Sequence, residues 1–133
     1  MNVLKRSPLY ELHVKSGARM IDFAGWEMPV YYQGIIEEHR AVREGAGLFD
    51  ISHMGEIEVE GPEALSLLQW VTTNNVKHLK AGQAQYSLIC DEEGGILDDV
   101  LVYCLDLQPG YARYMLVVNA SNTEKDYEWV LNQ

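Results

Sequence analysis

Two strand-like runs joined by five turn-forming residues constrain this sequence more than any other feature. The runs cover 83–90 and 96–105, and the residues between them read Asp-Glu-Glu-Gly-Gly. β-Branched and aromatic residues on both sides of a glycine-containing turn are typical of a β-hairpin. A second turn at 108–110 leads into another such run, 113–119. The sequence therefore predicts an antiparallel sheet in this half of the chain.

The register of the first hairpin follows from a tight turn, either a two-residue turn at 93–94 or a four-residue turn at 92–95. Both turns give the same opposed pairs: Leu88 with Asp99, Tyr86 with Leu101, and Ala84 with Tyr103. Directly opposed residues share one face of a sheet, so Asp99 is expected among aliphatic and aromatic side chains. Desolvation in such surroundings raises the pKa of a carboxyl group. The register thus predicts an aspartate in a water-poor hollow.

The same register keeps the two cysteines apart. Cys90 is expected opposite Leu97 and Cys104 opposite Gln83, which separates the thiols by roughly 23 Å at ~3.3 Å per residue. A disulfide requires Cα atoms within about 7 Å of one another, so we predict two free thiols. The first residues also lack the apolar stretch of a secretory signal. Both observations indicate a cytoplasmic protein.

Helices are predicted around these strands. The first is expected to begin with Ser7 as its N-cap, and the last to begin with a capping box formed by Ser121 and Glu124. The other predicted elements are helices over 35–44 and 61–71, a strand over 19–23, two short strands within 48–59, and an aromatic loop or irregular strand over 25–32. We interpret residues 1–133 as α+β, an antiparallel sheet with flanking helices.

Charge and motifs exclude several classes of function. Lysine and arginine number 10 against 20 aspartates and glutamates, for a net charge of −10. Clustered cations that would bind nucleic-acid phosphates or an anionic membrane surface are therefore not expected. No apolar run approaches the ~20 residues of a membrane-spanning helix. The 4 histidines are scattered and form no metal-ligand motif, so we expect no metal site.

The residues of the predicted face allow structural as well as functional roles. An acid pair such as Asp98 and Asp99 is commonly solvated or structural, although perturbed carboxylates also mark functional sites. Tyr86 and Tyr103 fit half-buried packing residues as well as a ligand platform. Asn119, just before a predicted helix cap, would by default satisfy local backbone groups. The pattern alone gives an acidic α+β domain with a candidate buried carboxylate.

In order and at these spacings, 4 segments resemble the T-protein family of the glycine cleavage system, the aminomethyltransferases. The segments are 22–29 (DFAGWEMP), 49–56 (FDISHMGE), 94–99 (GGILDD) and 117–122 (VVNASN). The resemblance extends from Pro8 to the end of the chain. It implies that residues 1–133 are the N-terminal part of a three-domain fold arranged around a central folate pocket, and that later sequence completes the first domain.

The resemblance also implies an activity, the transfer of the aminomethyl group on the lipoyl arm of H-protein to tetrahydrofolate. The products would be 5,10-methylenetetrahydrofolate, ammonia and the reduced lipoyl arm. Asp99 would be the catalytic carboxylate beside the reacting folate nitrogens, where it would stabilise an iminium-like cation. The residues expected to line the folate pocket are Met54, Tyr86, Tyr103, Val117 and Asn119. Asn119 shares the face of Asp99 only if the second turn has an odd loop length.

Two related classes are alternatives to this transferase. One is a folate-binding module without transferase activity, of the kind that supports iron–sulfur cluster maintenance. The other is the folate domain of a dimethylglycine or sarcosine dehydrogenase. The Asp98–Asp99 pair and the segment 52–55 (SHMG) favour the transferase. Because the family's pocket also uses a glutamate and an arginine from later sequence, we expect the chain alone to bind folate weakly or not at all.

Overall fold

The computed structural model describes residues 3–133, and the chain divides into two compact units. The first unit ends at His53 and the second is Met54–Gln133. Both combine helices with β-strands, and every strand pair of the second unit is antiparallel. The α+β prediction is therefore confirmed.

The first unit contains a small three-stranded sheet and two helices. Its elements are β1 (Lys5–Arg6), α1 (Tyr10–Lys15), β2 (Arg19–Phe23), β3 (Trp26–Tyr31) and α2 (Ile35–Glu44). The predicted strand at 19–23 and helix at 35–44 are confirmed. The segment predicted as an aromatic loop or irregular strand forms β3, and its pairing with β2 shifts register by skipping Val30. Helix α1 begins later than predicted, because Ser7 Oγ accepts from the amide of Leu9 and closes a turn before the helix starts.

The second unit is built on a four-stranded sheet in the order β4-β7-β6-β5. Its elements are β4 (Gly55–Gly61), α3 (Ala64–Val71), a 3₁₀ turn (Val76–His78), β5 (Ala84–Cys90), β6 (Ile96–Gln108), β7 (Tyr111–Val118) and α4 (Thr123–Leu131). Of the two short strands predicted within 48–59, the second is β4, whereas the first was wrong because residues 46–51 have no regular secondary structure.

Helix α4 does not start with the predicted capping box. Asn122, not Ser121, is its N-cap residue, and the Asn122 side chain makes no capping hydrogen bond. Its amide nitrogen instead donates to Asp98 Oδ1 at 2.7 Å, and its oxygen accepts from Lys125 Nζ at 3.2 Å. The Asn122 side chain binds Asp98 on β6 and therefore does not cap the helix.

From Ala84 to Leu88 the β5–β6 hairpin has the predicted register, but its turn differs from both predicted turns. Asp91 and Gly95 close a three-residue loop in which Gly94 has a positive φ of 83°, so the turn is neither of the two predicted forms. Cys90 consequently faces Ile96, and its predicted pairing with Leu97 was wrong. The register then shifts by one residue next to this pair, which restores the predicted pairing of Leu88 with Asp99.

One face of the four-stranded sheet carries the core. Alternate strand residues point to this face and pack against α3 and α4. The largest fully buried side chains of this core include Tyr114, Leu68, Ile89, Leu116, Val76, Val100, Val102 and Val118. The opposite face, with Tyr86, Leu101 and their neighbours, carries exposed and half-buried side chains.

Candidate functional site

The strand register places most of the candidate residues on the open face of the sheet. Tyr86 faces Leu101, which in turn faces Val117, and Tyr103 faces Met115. Because opposed residues share a face, these side chains form one surface.

Asn119 joins the row of Asp99 through a bulge in β6. The β6–β7 turn has only two residues between its last pair, Gln108 and Tyr111, so its loop length is even. The pairing then skips Leu105, and this extra residue changes the parity of every pair beyond it. Leu101 therefore faces Val117, and Asn119, two residues further on, lies beside Asp99.

Asp98 and Asp99 point to opposite faces of β6, as neighbouring strand residues do. Asp99 is exposed on the open face, whereas Asp98 is buried at 4% exposure on the core side. The expectation that Asp99 sits in a water-poor hollow was wrong, because the residues described here place no second layer over its face. The buried carboxylate of the pair is Asp98.

The Asn119 amide bridges the two acids. Its Nδ2 lies 2.9 Å from Asp98 Oδ1 and 3.1 Å from both Oδ1 and the carbonyl oxygen of Asp99. Three acceptors around one nitrogen assign this atom as the donor side of the amide. The Asn119 backbone N–H also donates to Asp98 Oδ2 at 2.9 Å. The Asn119 Oδ1 atom is then the part of the amide that can accept a hydrogen bond from a ligand.

The Tyr86 hydroxyl belongs to the same cluster. Its side chain is 58% exposed on the open face. Partial burial raises the pKa of the Tyr86 phenol, and the charge of Asp99 together with a hydrogen bond to that carboxylate raises it further. The phenol thus stays protonated beside the Asp99 carboxylate.

The other candidate residues frame this cluster. Tyr103 on β6 and Val117 on β7 are half-buried on the open face, and β7 pairs with β4 at the edge of the sheet. Met54 is half-buried and directly precedes Gly55, which pairs with Val118. Gly55 has no room for a Cβ atom, which would clash with the Thr123 side chain. This close approach brings the start of α4 against the start of β4.

Sequence reasoning missed a second acid behind the site. Asp126 on α4 is fully buried beside Asp98, and neither of its oxygens meets a hydrogen-bond donor among residues 3–133. Burial, with a further contribution from the neighbouring Asp98, raises the pKa of Asp126 to about 7. Burial acts on Asp98 as well, yet hydrogen bonds from Asn119, Asp126 and Asn122 outweigh it and lower its pKa. Helical spacing could have found Asp126, since it shares the buried side of α4 with Val130, four residues on.

The site is an open surface and not a cavity. A cleft of about 400 Å³ elsewhere in the second unit is lined by residues that include Trp70, Cys90, Trp129 and Gln133, and by none of the candidate site residues. Within residues 3–133, no group of three or more histidine, cysteine, aspartate or glutamate side chains is arranged to hold a metal ion. Over the same residues, no helix has the length and apolar character needed to cross a membrane. Both cysteines are free, as predicted.

This arrangement suits a planar, nitrogen-rich ligand. The Asp99 carboxylate and the Asn119 amide oxygen are acceptors for N–H groups, and a carboxylate also stabilises positive charge that develops beside it. Leu101, Val117 and Tyr103 provide a largely apolar surface alongside for the face of a ring.

The sequence matches a known family of protein domains and several of its members. The GCVT N-terminal domain family matches residues 9–133. An aminomethyltransferase of Symbiobacterium thermophilum is 62% identical over 127 residues, which are 96% of this chain and 33% of that protein. An aminomethyltransferase of Desulforamulus reducens is 54% identical over 133 residues, 100% of this chain and 35% of that protein.

A solved structure agrees with these relatives. The crystal structure of the glycine cleavage system aminomethyltransferase T from Bartonella henselae matches with a TM-score of 0.88 and 45% identity, over 97% of this chain and 35% of that one. The chain thus spans about a third of the length of the relatives it matches. The matched domain, the relatives and the shared fold together show that this chain belongs to the glycine cleavage T-protein family of aminomethyltransferases.

Proposed function

We propose that this chain carries the catalytic carboxylate of an aminomethyltransferase of the glycine cleavage system, with tetrahydrofolate as the acceptor of the one-carbon unit. The observation that supports this most directly is the cluster of Asp99, Tyr86 and Asn119 on one open sheet face. Because the chain covers about a third of its relatives, the complete reaction is proposed for the protein at the length of those relatives.

The reduced pterin ring of tetrahydrofolate fits the donors and acceptors of this face. Asn119 Oδ1 and the Asp99 carboxylate would accept hydrogen bonds from ring and bridge N–H groups. Val117 and Leu101 would contact the flat side of the ring, and Tyr103 and Met54 would limit its position on either side. Four of the five folate-pocket residues inferred from the family resemblance then contact the ring, and the fifth, Tyr86, lies beside Asp99.

Asp99 would act mainly through its charge. In the proposed reaction the donor loses its carbon–sulfur and carbon–nitrogen bonds, and two new carbon–nitrogen bonds form to folate. The two protons that leave the folate nitrogens equal the two gained by the lipoyl sulfur and the departing ammonia. Positive charge develops at carbon and nitrogen on the way, and a fixed carboxylate within contact distance stabilises it. Tyr86 would hold that carboxylate by its hydroxyl.

Lipoylated H-protein is the proposed donor of the aminomethyl group, and the cytoplasm is the proposed compartment. A reducing compartment would keep both Cys90 and Cys104 as the free thiols they are in this structure.

Replacing Asp99 tests the proposal. We expect Asp99→Asn, in the protein at its natural length, to reduce formation of 5,10-methylenetetrahydrofolate from aminomethyl-lipoyl H-protein by roughly 100-fold or more. The amide keeps the size of the side chain but removes the charge. The measurement is transfer rate at saturating tetrahydrofolate, with circular dichroism to verify the fold.

The matched control is Glu93→Gln, which removes one carboxylate from the exposed loop of the same hairpin. Its rate should equal that of the unchanged protein. Calorimetric titration of tetrahydrofolate completes the test. Unchanged transfer by Asp99→Asn would remove Asp99 from the mechanism, and folate binding without any transfer by the unchanged protein would favour a binding module.

A further inference from the structure

The buried contact between Asp98 and Asp126 needs a proton. Neither oxygen of Asp126 meets an N–H or O–H donor from residues 3–133, and the residue is 0% exposed. Two carboxylates can hydrogen-bond to one another only if one of them is protonated. A contact between the two carboxylates therefore requires one proton.

The hydrogen bonds around Asp98 assign that proton to Asp126. Asp98 accepts three N–H groups, from the Asn119 backbone at 2.9 Å, the Asn119 amide at 2.9 Å and the Asn122 amide at 2.7 Å. Several N–H donors favour the ionised form of a carboxyl group. Asp126 meets no such donor among residues 3–133, so the proton belongs on Asp126, whose O–H can then donate to Asp98.

We propose that Asp126 is a positioning residue for the folate face: as a neutral acid it holds the Asp98 carboxylate in place, and Asp98 in turn fixes the amide of Asn119 beside Asp99. The inference rests on the proposed function only in taking the ligand of that face to be tetrahydrofolate. The chain of contacts runs from α4 through β6 to the end of β7, from the core side of the sheet to the open face.

Few charged groups act on Asp126 besides Asp98. Lys125, next to it on α4, opposes the rise in its pKa, but its Nζ is engaged by the Leu97 carbonyl at 2.7 Å and by Asn122 Oδ1. The charged side chains of β4 and β7, namely Glu56, Glu58, Glu60 and Arg113, lie on the open face of the sheet, and α3 has no charged residue. Ionising Asp126 would thus place a second, uncompensated charge against Asp98.

Ionisation of Asp126 would disturb the position of Asn119. With Asp126 ionised, two buried carboxylates repel one another, and Asp98 can no longer hold both the backbone N–H and the amide of Asn119. The amide is then free to rotate and to present its nitrogen instead of its oxygen to the ligand. Folate affinity would fall as the pH rises through about 7, the pKa to which burial and Asp98 raise Asp126.

The test compares two replacements of Asp126 that differ in hydrogen bonding. Asp126→Asn keeps a permanent N–H donor toward Asp98, whereas Asp126→Leu has similar size and no donor. In the protein at its natural length, we expect Asp126→Leu to weaken tetrahydrofolate binding by about tenfold, the effect of about one hydrogen bond to a charged group. We expect Asp126→Asn to restore affinity to near that of the unchanged protein and to remove its decline above about pH 7. Glu128→Gln, an exposed acid on the same helix, is the control.

A second readout does not depend on folate. The side-chain amide resonances of Asn119, followed by ¹H–¹⁵N spectroscopy, should shift in one step with the same midpoint as the Asp126 carboxyl carbon, and should stay fixed in Asp126→Asn. Fixed Asn119 resonances while Asp126 titrates would overturn the proposal, as would equal affinity of the Asn and Leu variants. If no protein binds folate but the Asn119 step is present, the positioning role stands and the proposed ligand is wrong.

Discussion

The two units of this chain are stabilised in different ways. Every member of the buried hydrophobic cluster lies in the second unit, between Ile57 and Val130. Among the described residues of the first unit, Met28 is the one buried hydrophobic residue, whereas large apolar side chains such as Phe49, at 67% exposure, are open to solvent. Its buried groups are mostly polar. Apolar burial stabilises one unit, and directional hydrogen bonds organise the other.

Asp50 is the centre of the polar network in the first unit. Its Oδ2 accepts from the Ser7 hydroxyl at 2.6 Å and lies 2.7 Å from His13 Nε2, and its Oδ1 accepts from the Ser52 amide. The other ring nitrogen of His13 lies 2.7 Å from the Tyr32 hydroxyl. Burial alone would raise the pKa of Asp50, but hydrogen bonds from Ser52, Ser7 and His13 hold it well below its usual range.

The largest expected difference between the units is the loss of unfolding free energy when a leucine is shortened to alanine. Leu116 is fully buried in the middle of β7, and we expect Leu116→Ala to reduce the free energy of unfolding by about 3–4 kcal/mol. Leu12 on α1 is 57% exposed, and Leu12→Ala should cost less than about 1 kcal/mol. Urea unfolding measures both. Similar losses for the two variants would contradict the assignment of the core to the second unit.

The next effect should be confined to the first unit. Asp50→Ala leaves the buried Ser7 and His13 without their acceptor, so we expect a loss of about 2–3 kcal/mol. Hydrogen exchange should show faster opening of amides before His53, with the strands β4 to β7 unchanged. Because the pKa of Asp50 is lowered in the folded state, its contribution is present above the usual aspartate pKa and is lost as the pH falls through the lowered value.

Glu37→Gln serves as the control for that experiment, since it removes a charge from the exposed start of α2. A global loss of stability in Asp50→Ala, with equal effects on exchange in both units, would show that the network does more than organise the first unit.

The sequence predicted the sheet better than it predicted the site. Runs of β-branched and aromatic residues on both sides of turns identified β5, β6 and β7, and the register of the first hairpin indicated which residues accompany Asp99 on its face. The turns were not predictable to the residue. A three-residue loop and a register shift near Cys90 gave the same pairing as the predicted turns, and skipping Leu105 aligned Asn119 with Asp99.

What the sequence could not give was the partner of each polar side chain. Ser121 and Glu124 have the spacing of a capping box, yet Asn122 precedes the helix because Asp98 binds its amide. The acid pair was recognised, but Asp99 was expected to be the desolvated member. Period-two alternation requires that one of two neighbouring acids point inward, and only the position of α4 shows that Asp98 is the one that meets a second acid.

The last expected effect is spread over several pH units and sets the second unit against the first in its pH dependence. The pKa of Asp126 is raised in the folded state, so its contribution to stability is complete below the usual aspartate pKa and is lost as the pH rises toward about 7. We expect the free energy of unfolding of the second unit to fall by up to roughly 1 kcal/mol per pH unit between those limits, and to level off above them.

Asp126→Asn should flatten this slope, because an amide does not titrate, whereas the acid-side loss caused by Asp50 in the first unit should remain. The measurement is urea unfolding over a series of pH values, with exchange of the β6 and β7 amides to assign the effect to the second unit. A slope that survives in Asp126→Asn would mean that another group takes up the proton on folding. The pH dependence of unfolding would then no longer support a protonated Asp126. The three N–H groups that donate to Asp98 would still require Asp98 to be ionised.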